Sequence, residues 1–272
     1  MQVLLIGAGN MGFALFRTWA SLKGHQFTVI ELNAELRGRA AAKGAEVFAS
    51  FADLPNGFCA DVVVIATKPQ AVAEAAAASR LVLKDDGLLV SVAAGITINA
   101  IRAQIDNGPA IVRCMPNTPA AIGEGMTVCC ASANAHPSDM DSARTLLSTA
   151  GRVAFIERET LMDAVTAVSG SGPAYVFHLI EAFSAAGISI GLPPDLAMML
   201  AKQTVFGAAK LALTPEADPA VLRAQVTSPN GTTAAALSVL MDLQDGLGPL
   251  LQRAVAAAEH RSRELGAPPP VQ

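Results

Sequence analysis

The sequence predicts an α/β protein: a doubly wound parallel sheet in the N-terminal half, followed by an all-helical C-terminal region. Three observations predict it. Short apolar runs without polar alternation recur up to about Arg158, separated by helix-like stretches. A glycine-rich turn joins the first run to the first such stretch. Beyond Arg158 the strand signal stops and helical segments alone continue.

Taken in order, Val3-Leu4-Leu5-Ile6 and Phe27-Thr28-Val29-Ile30 open the series. Asp61–Ala66, Leu88–Val92 and Ala110–Cys114 continue it. Runs apolar throughout suit strands buried on both faces, as in a parallel sheet. Between them the spacing predicts helices over Met11–Lys23, Asn33–Lys43 and Gln70–Arg80. Two further strands, Met126–Ala131 and Arg152–Ile156, flank a helix over Ser138–Thr149. Strands alternating with helices predict a doubly wound domain. The second half predicts helices over Thr160–Ala167, Pro173–Gly187, Asp195–Leu213, Pro219–Gln225, Thr232–Asp242 and Leu247–Leu265. Gly191-Leu192-Pro193-Pro194, Pro215, Ser228-Pro229-Asn230-Gly231 and Asp245-Gly246 separate most of them, because Gly, Pro and Asn punctuate regular structure.

A chain of 272 residues suits two modest domains, and 52% hydrophobic residues against 15% charged supply a core and exclude global disorder. A net charge of −4 with no lysine or arginine cluster argues against nucleic acid and anionic membrane surfaces as partners. The start of the chain lacks the basic and long apolar segments of a signal peptide. Ala164–Ile180 is interrupted by Ser169-Gly170-Ser171-Gly172-Pro173, which predicts a loop and helix in place of a membrane span. Cys59, Cys114, Cys129 and Cys130 have no metal-like spacing, so no metal site is expected. They are expected to be reduced core residues of a cytoplasmic protein, with a reactive Cys114 left open.

Gly7-Ala8-Gly9-Asn10-Met11-Gly12 fits the G-x-G-x-x-G pattern directly after a strand and at the opening of a helix. In that context the glycines allow a tight turn, backbone approach to a pyrophosphate, and close helix–strand packing. Residues 1–158 are therefore expected to form a Rossmann-type dinucleotide-binding domain, with Gly7, Gly9, Asn10, Met11 and Gly12 at the cofactor. Glu31 ends the second strand, where an acid can bond the ribose 2′-hydroxyl and repel a 2′-phosphate. That favours NADH over NADPH, and both stay open because Arg37 and Arg39 are close in sequence. Ala66-Thr67-Lys68-Pro69 and Val92-Ala93-Ala94 fall at carboxyl ends of strands, where open sheets bind ligands. Lys68 is either a phosphate or ribose contact or a solvent-facing lysine.

In the second half, Ser228-Pro229-Asn230-Gly231 is a turn and Thr232-Thr233 begins a helix, whose free N–H groups form an anion site. Thr166, Ser169 and Ser171 stand among Gly170, Gly172 and Pro173, where hydroxyls can line a pocket. Glu159 and Gln225, just before these motifs, add polar contacts or are plain surface. His178, on an apolar helix, is expected in the core or an interface, and Met198 and Met199 in the core.

Four segments together resemble the pyrroline-5-carboxylate reductase family: Ile65–Gln70, Arg113-Cys114-Met115-Pro116-Asn117-Thr118-Pro119, Asp163–Tyr175, and Val226–Thr233. The resemblance runs from the first strand to about Gly266. It implies hydride transfer from NADH or NADPH to the C=N bond of 1-pyrroline-5-carboxylate, giving proline. It implies that Gly231, Thr232 and Thr233 line the substrate site with Glu159, Gln225 and Val226, and that Asn117 belongs to the cofactor side. Thr233 is the hydroxyl expected at the ring nitrogen, with Thr166 and Ser228 beside the reaction. Residues 159–266 become a helical substrate-binding and dimerisation domain forming an intertwined homodimer or larger assembly, and 267–272 a flexible tail. Two departures stand out. Asn230 replaces a usual second glycine, and Asn also tolerates the left-handed turn. Glu31 stands where many relatives carry uncharged or basic residues suited to NADPH.

The absence of an obvious catalytic histidine or lysine agrees with this chemistry. A cyclic imine can enter already protonated, so positioning matters more than acid–base power. A β-hydroxyacid dehydrogenase would want a lysine early in the helical domain, and residues 159–201 contain none. A non-catalytic nucleotide-binding protein would keep the glycine loop without needing the hydroxyl-rich turn.

Overall fold

The computed structural model describes residues 1–20, 22–105, 108–214 and 218–266. Among them, β1 (Gln2–Ile6), β2 (Gln26–Ile30), β3 (Glu46–Phe48), β4 (Ala60–Ile65), β5 (Leu83–Ser91), β6 (Ala110–Met115), β7 (Gly125–Ala131) and β8 (Gly151–Phe155) form one sheet. The spatial order is 3-2-1-4-5-6-7-8. Neighbours run parallel except β6 against β7, so the last two strands point opposite to the first six. Strand order reverses between β1 and β4, which makes a crevice at their carboxyl ends.

Side chains alternate across each strand, and both sets are apolar. Val3, Leu5, Val62, Val64, Leu88 and Val90 pack on one face with α1 (Asn10–Trp19) and α5 (Pro137–Leu147). Leu4, Ile6, Val63, Ile65 and Leu89 pack on the other with α3 (Val72–Ser79) and α4 (Ile98–Ile105). This two-sided burial is why the strands read as unbroken apolar runs. Trp19 is fully buried, with its indole N–H donating to the Leu146 carbonyl at 2.8 Å, as a buried polar group requires.

The chain divides into two compact units: Met1–Ser171 together with the end of the chain from Ala258, and Gly172–Ala257. The second holds α7 (Gly172–Ser189), α8 (Pro194–Ala212), α9 (Pro219–Gln225), α10 (Thr232–Leu240) and most of α11 (Leu247–Gly266). In the first unit, the Ser262 hydroxyl near the end of α11 donates to Asp163 at 2.7 Å. Among the described residues no helix is long and apolar enough to cross a membrane.

The expected strands appear within about a residue of their predicted bounds, apart from β5, which starts earlier at Leu83. Two elements lie outside the sequence expectations. β3 is a three-residue edge strand, and α4 carries Ile98, Ile101 and Ile105 on its buried side. The first helix stops at Trp19, short of Lys23, where the Leu22 amide turns back to the Trp19 carbonyl. The helix expected over Thr160–Ala167 is instead a 3₁₀ turn (Glu159–Leu161), the short α6 (Met162–Val165) and a π turn over Thr166–Gly170. Cys59 is exposed, unlike the other three cysteines. His178 is exposed and faces Glu181 at 3.2 Å, and Met199 is 60% exposed, so neither lies in a core of this chain. The Pro215 turn, Ser21 and the tail at 267–272 lie outside the described residues.

Candidate active site

The crevice between β1 and β4 is built by glycines whose side chains have no room. Gly7 turns the chain with φ +92°, and a Cβ there would stand 2.9 Å from the Ala66 carbonyl oxygen. At Gly12 a Cβ would stand 2.1 Å from the Gly7 carbonyl oxygen, so α1 packs against the loop only because Gly12 lacks one. Gly9 is different: no described atom lies within 4 Å of its Cβ position, which leaves that side of the loop open to a ligand. Gly9 is also the N-cap of α1, with no side-chain cap and no acid in the first turn. The amides of Asn10, Met11 and Gly12 are thus left for an anion. Four other helices carry a carboxylate in the first turn, Glu35, Glu74, Asp139 and Asp195, whereas α1 offers none.

Glu31, just past β2, is tied into this loop. One carboxylate oxygen accepts the Ala8 amide at 2.7 Å and the other accepts the Asn33 amide at 2.9 Å. Each oxygen retains a second acceptor site for a ribose hydroxyl. The neighbouring arginines are engaged. Arg37 donates to the carbonyls of Glu31 and Leu32 at 2.8 and 2.9 Å, and Arg39 donates to the Ala8 carbonyl at 3.1 Å while lying 3.9 Å over the Phe13 ring.

The loop after β4 runs alongside Gly7. The Ala66 amide bonds the Ile6 carbonyl at 2.9 Å, and the Thr67 hydroxyl is buried with no hydrogen-bond partner among the described residues. Lys68 is exposed and precedes the 3₁₀ turn Pro69–Ala71. After β5, Val92 and Ala93 are buried and Ala94 is exposed. An open glycine cradle, an uncapped helix end, a carboxylate at the end of β2 and an orphaned hydroxyl together fit a dinucleotide. Gly7–Gly12 would hold its pyrophosphate, Glu31 a ribose, and Ala66–Pro69 with Val92–Ala94 the far side.

Asn117, from the Met-Pro-Asn-Thr-Pro string, spends its side chain inside the protein. Its carbonyl oxygen accepts the Met126 amide at 2.8 Å, and its amide group donates to the Ser169 carbonyl at 3.1 Å. This clamps the π turn, which closes through the Ser171 amide and the Thr166 carbonyl at 2.8 Å. At Gly170 a Cβ would lie 2.4 Å from the Met115 methyl, so a larger residue there would need the methionine side chain to move. π turns of this kind are often found at functional sites. The Thr166 hydroxyl donates to the Met162 carbonyl at 2.8 Å and is half-buried.

Glu159 is fixed by a residue that the sequence argument did not single out. Arg113, 6% exposed on β6, donates to one Glu159 oxygen at 2.8 Å, and the Ile98 amide at the start of α4 donates to the same oxygen at 2.8 Å. A lone arginine in the apolar run Ala110–Cys114 was the available signal, because a buried charge must be paired. Cys114 is fully buried opposite Cys129, and burial, with the neighbouring Cys129 thiol, pushes its thiol well above the ordinary value.

In the helical unit the remaining residues form one contiguous stretch. The Gly231 amide bonds the Ser228 carbonyl at 3.1 Å, closing a turn with Asn230 at φ +57°. The left-handed conformation expected of Asn230 is thus present. Gly231 is the N-cap of α10, again with no side-chain cap and no first-turn acid. A Cβ on Gly231 would stand 2.3 Å from the Ser228 hydroxyl. Thr233 is half-buried at the second helical position, while Thr232, Ser228, Gln225 and Val226 are exposed.

A sheet of order 3-2-1-4-5-6 with a glycine turn and an uncapped helix at its switch point defines a Rossmann-type dinucleotide-binding protein. Residues 2–95 match the family model described as NADP oxidoreductase coenzyme F420-dependent, and residues 159–265 match the model for pyrroline-5-carboxylate reductase dimerisation. The pyrroline-5-carboxylate reductase of Pseudomonas aeruginosa is 40% identical over 267 residues, covering 97% of this chain and 96% of the relative. Among solved structures, the Coxiella burnetii pyrroline-5-carboxylate reductase matches with TM-score 0.91 at 30% identity over 98% of both chains. The Plasmodium falciparum pyrroline carboxylate reductase with NADP bound matches with TM-score 0.83 at 27% identity over 98% of both. The chain belongs to the pyrroline-5-carboxylate reductase family.

Proposed function

We propose that this protein reduces 1-pyrroline-5-carboxylate to L-proline with a nicotinamide dinucleotide, the last step of proline biosynthesis. Family membership across nearly the whole chain is the observation that carries this reading. Bound at the glycine loop, the reduced nicotinamide would supply the hydride that the imine carbon accepts. The free first-turn amides of α10 take the substrate carboxylate, with Gly231 and Thr232 shaping that turn and Gln225 and Val226 flanking it. The Thr233 hydroxyl hydrogen-bonds the ring nitrogen. Ser228 offers a further hydroxyl in that turn, and family membership alone assigns Thr166 and Glu159 to the substrate. Because the imine enters protonated, the nitrogen needs a hydrogen-bonding partner and no strong enzyme acid.

In this reading residues 1–158 serve the dinucleotide, Asn117 among them by shaping the wall, while residues 159–266 serve the substrate and a second copy of the chain in a dimer. NADH is favoured over NADPH, since Glu31 carries negative charge at the ribose and both nearby arginines are occupied by backbone carbonyls. Four unpaired cysteines suit the reducing cytoplasm. The decisive assay is oxidation of NADH and NADPH by the purified protein with pyrroline-5-carboxylate. Rapid imine-dependent oxidation is expected, faster with NADH. Silence with the imine but turnover of a hydroxyacid in the reverse direction would refute the assignment.

A further inference from the structure

Where β6 meets β7 antiparallel, the register sets two thiols face to face. Cys114 lies opposite Cys129, fifteen positions away in sequence, with the two sulfurs 3.2 Å apart. Opposed residues in antiparallel strands alternate between hydrogen-bonded pairs and closer, non-hydrogen-bonded ones. The Cys129 carbonyl is turned away from β6 and accepts the Ile156 amide at 2.8 Å, whereas three residues on the Ser132 amide donates to the Ile111 carbonyl of the neighbouring strand at 2.8 Å. Cys114–Cys129 is therefore a non-hydrogen-bonded pair, whose Cα atoms stand about 4.5 Å apart. That spacing falls inside the roughly 4.4–6.8 Å that a disulfide bridges. Both residues belong to the core on the α1 and α5 face and are 1% and 0% exposed. Cys130 packs on the opposite face and Cys59 is exposed, so neither stands between them.

We propose that Cys114 and Cys129 are a reversible oxidation site, a latent cross-strand disulfide whose oxidant is a small peroxide. The site goes beyond the reductase reading and does not depend on it. One sulfur, as thiolate, attacks a peroxide oxygen; the O–O bond breaks, the sulfur becomes a sulfenic acid, and one water leaves after taking up a proton. The second sulfur then displaces the sulfenic hydroxyl, which leaves as a second water with the remaining thiol proton, and the S–S bond forms. Two electrons pass from the two sulfurs to the peroxide. In the closed sheet the pair is shielded, and burial with Cys129 alongside pushes the Cys114 thiol up, which favours the neutral dithiol. Oxidation therefore runs through local opening of β6 from β7 and is slow in the intact fold. Once formed, the bond closes the loop that carries Asn117 and the 3₁₀ turn Thr118–Ile122, and a closed loop of about fifteen residues measurably restrains the unfolded chain.

The test treats the purified full chain with hydrogen peroxide, in buffer and in sub-denaturing urea, then quenches, alkylates and maps peptides without reductant. A peptide joining Cys114 to Cys129, lighter by two hydrogens than its reduced halves, is expected, forming faster in urea and reversed by dithiothreitol. The oxidised protein is expected to melt about 5 °C higher than the reduced one. That rise should vanish in Cys129→Ser and persist in Cys130→Ala. Absence of the joined peptide in both buffer and urea, while Cys59 in the same digest is oxidised, overturns the proposal. A joined peptide that leaves the melting temperature unchanged or lower overturns it too, because the register would then not accommodate the bond. Cys129→Ala repeats the comparison should the serine variant not fold.

Discussion

Two side chains decide whether the proposed chemistry is right, and they act on different ligands. Replacing Thr233 with alanine removes the hydroxyl assigned to the ring nitrogen but leaves the α10 amides and the glycine loop untouched. Turnover should fall by about 10²-fold, the low end for losing a hydrogen-bonding group from the reacting atoms, with NADH affinity nearly unchanged by calorimetry. Normal turnover would remove Thr233 from the mechanism. Glu31 has a double duty, because the oxygen that accepts the Ala8 amide belongs to the carboxylate proposed to read the ribose. Glu31→Ser should therefore weaken both cofactors by loosening the glycine loop, yet raise affinity for NADPH relative to NADH about tenfold, or ~1.4 kcal/mol. Glu31→Gln, which keeps an acceptor oxygen, should move the ratio with less loss of either; an unmoved ratio in both variants would show that residue 31 does not read the ribose. Of these details the sequence carried the glycines, Glu31 and the threonines, because motif spacing encodes them. The Ala8–Glu31 bond joins positions far apart in the chain that no local pattern reports, and the Arg113–Glu159 pair left only its lone arginine in an apolar run as a signal.

At the scale of elements, the amino ends of the central strands are held by one carboxylate. Asp61, at the second position of β4, accepts the Gln2 amide at 2.7 Å and pairs with Lys84 on β5. Lys84, first, and the Gln2 amide hold the Asp61 carboxyl below its usual range, against a smaller opposing push from burial. A carboxylate with a depressed pKa stabilises the fold above its unfolded pKa and loses that contribution as pH falls through the folded one. Melting temperature followed from neutral pH downward should thus drop less steeply in Asp61→Asn than in the wild type. The variant should already melt a few degrees lower at neutral pH, and parallel curves would exclude Asp61 from the acid response. The strands themselves were legible because burial on both faces writes them as unbroken apolar runs. β3 escaped because three residues at a sheet edge make no pattern. The π turn escaped for another reason: residues Thr166–Gly170 carry helical composition, and the Asn117 side chain that holds the turn through the Ser169 carbonyl comes from far away in the chain.

At the scale of the whole molecule, the two units differ in how they hide apolar surface. The sheet unit buries a continuous core on both faces, whereas in the helical unit Phe177, Phe183, Met199 and Phe206 stand 58%, 46%, 60% and 60% exposed. Exposure on that scale marks a surface that another molecule covers, and this is the region that matches the dimerisation model. Met199 and Phe206, seven residues apart on α8, share a helix face and border an open groove of about 450 Å³. The resemblance read from sequence implied a dimerising helical region, but Met199 was expected in the core and stands exposed, because a single chain's pattern cannot separate its own core from one shared with a copy; His178, expected in the core or an interface, is exposed in this chain. Burying a phenylalanine side chain is worth about 2–3 kcal/mol, and in a two-fold interface each substitution counts twice. Phe206→Glu should thus cost roughly 5 kcal/mol of association, about a 10³-fold or greater rise in the dissociation constant. Light scattering across a dilution series should show the wild type as an oligomer at concentrations where Phe206→Glu has the mass of one chain. NADH binding by the sheet unit should persist in the variant, which separates a lost interface from a lost fold. An oligomer unchanged by Phe206→Glu would mean that the copies meet elsewhere on the helical unit, and would return the exposed face of α8 to solvent.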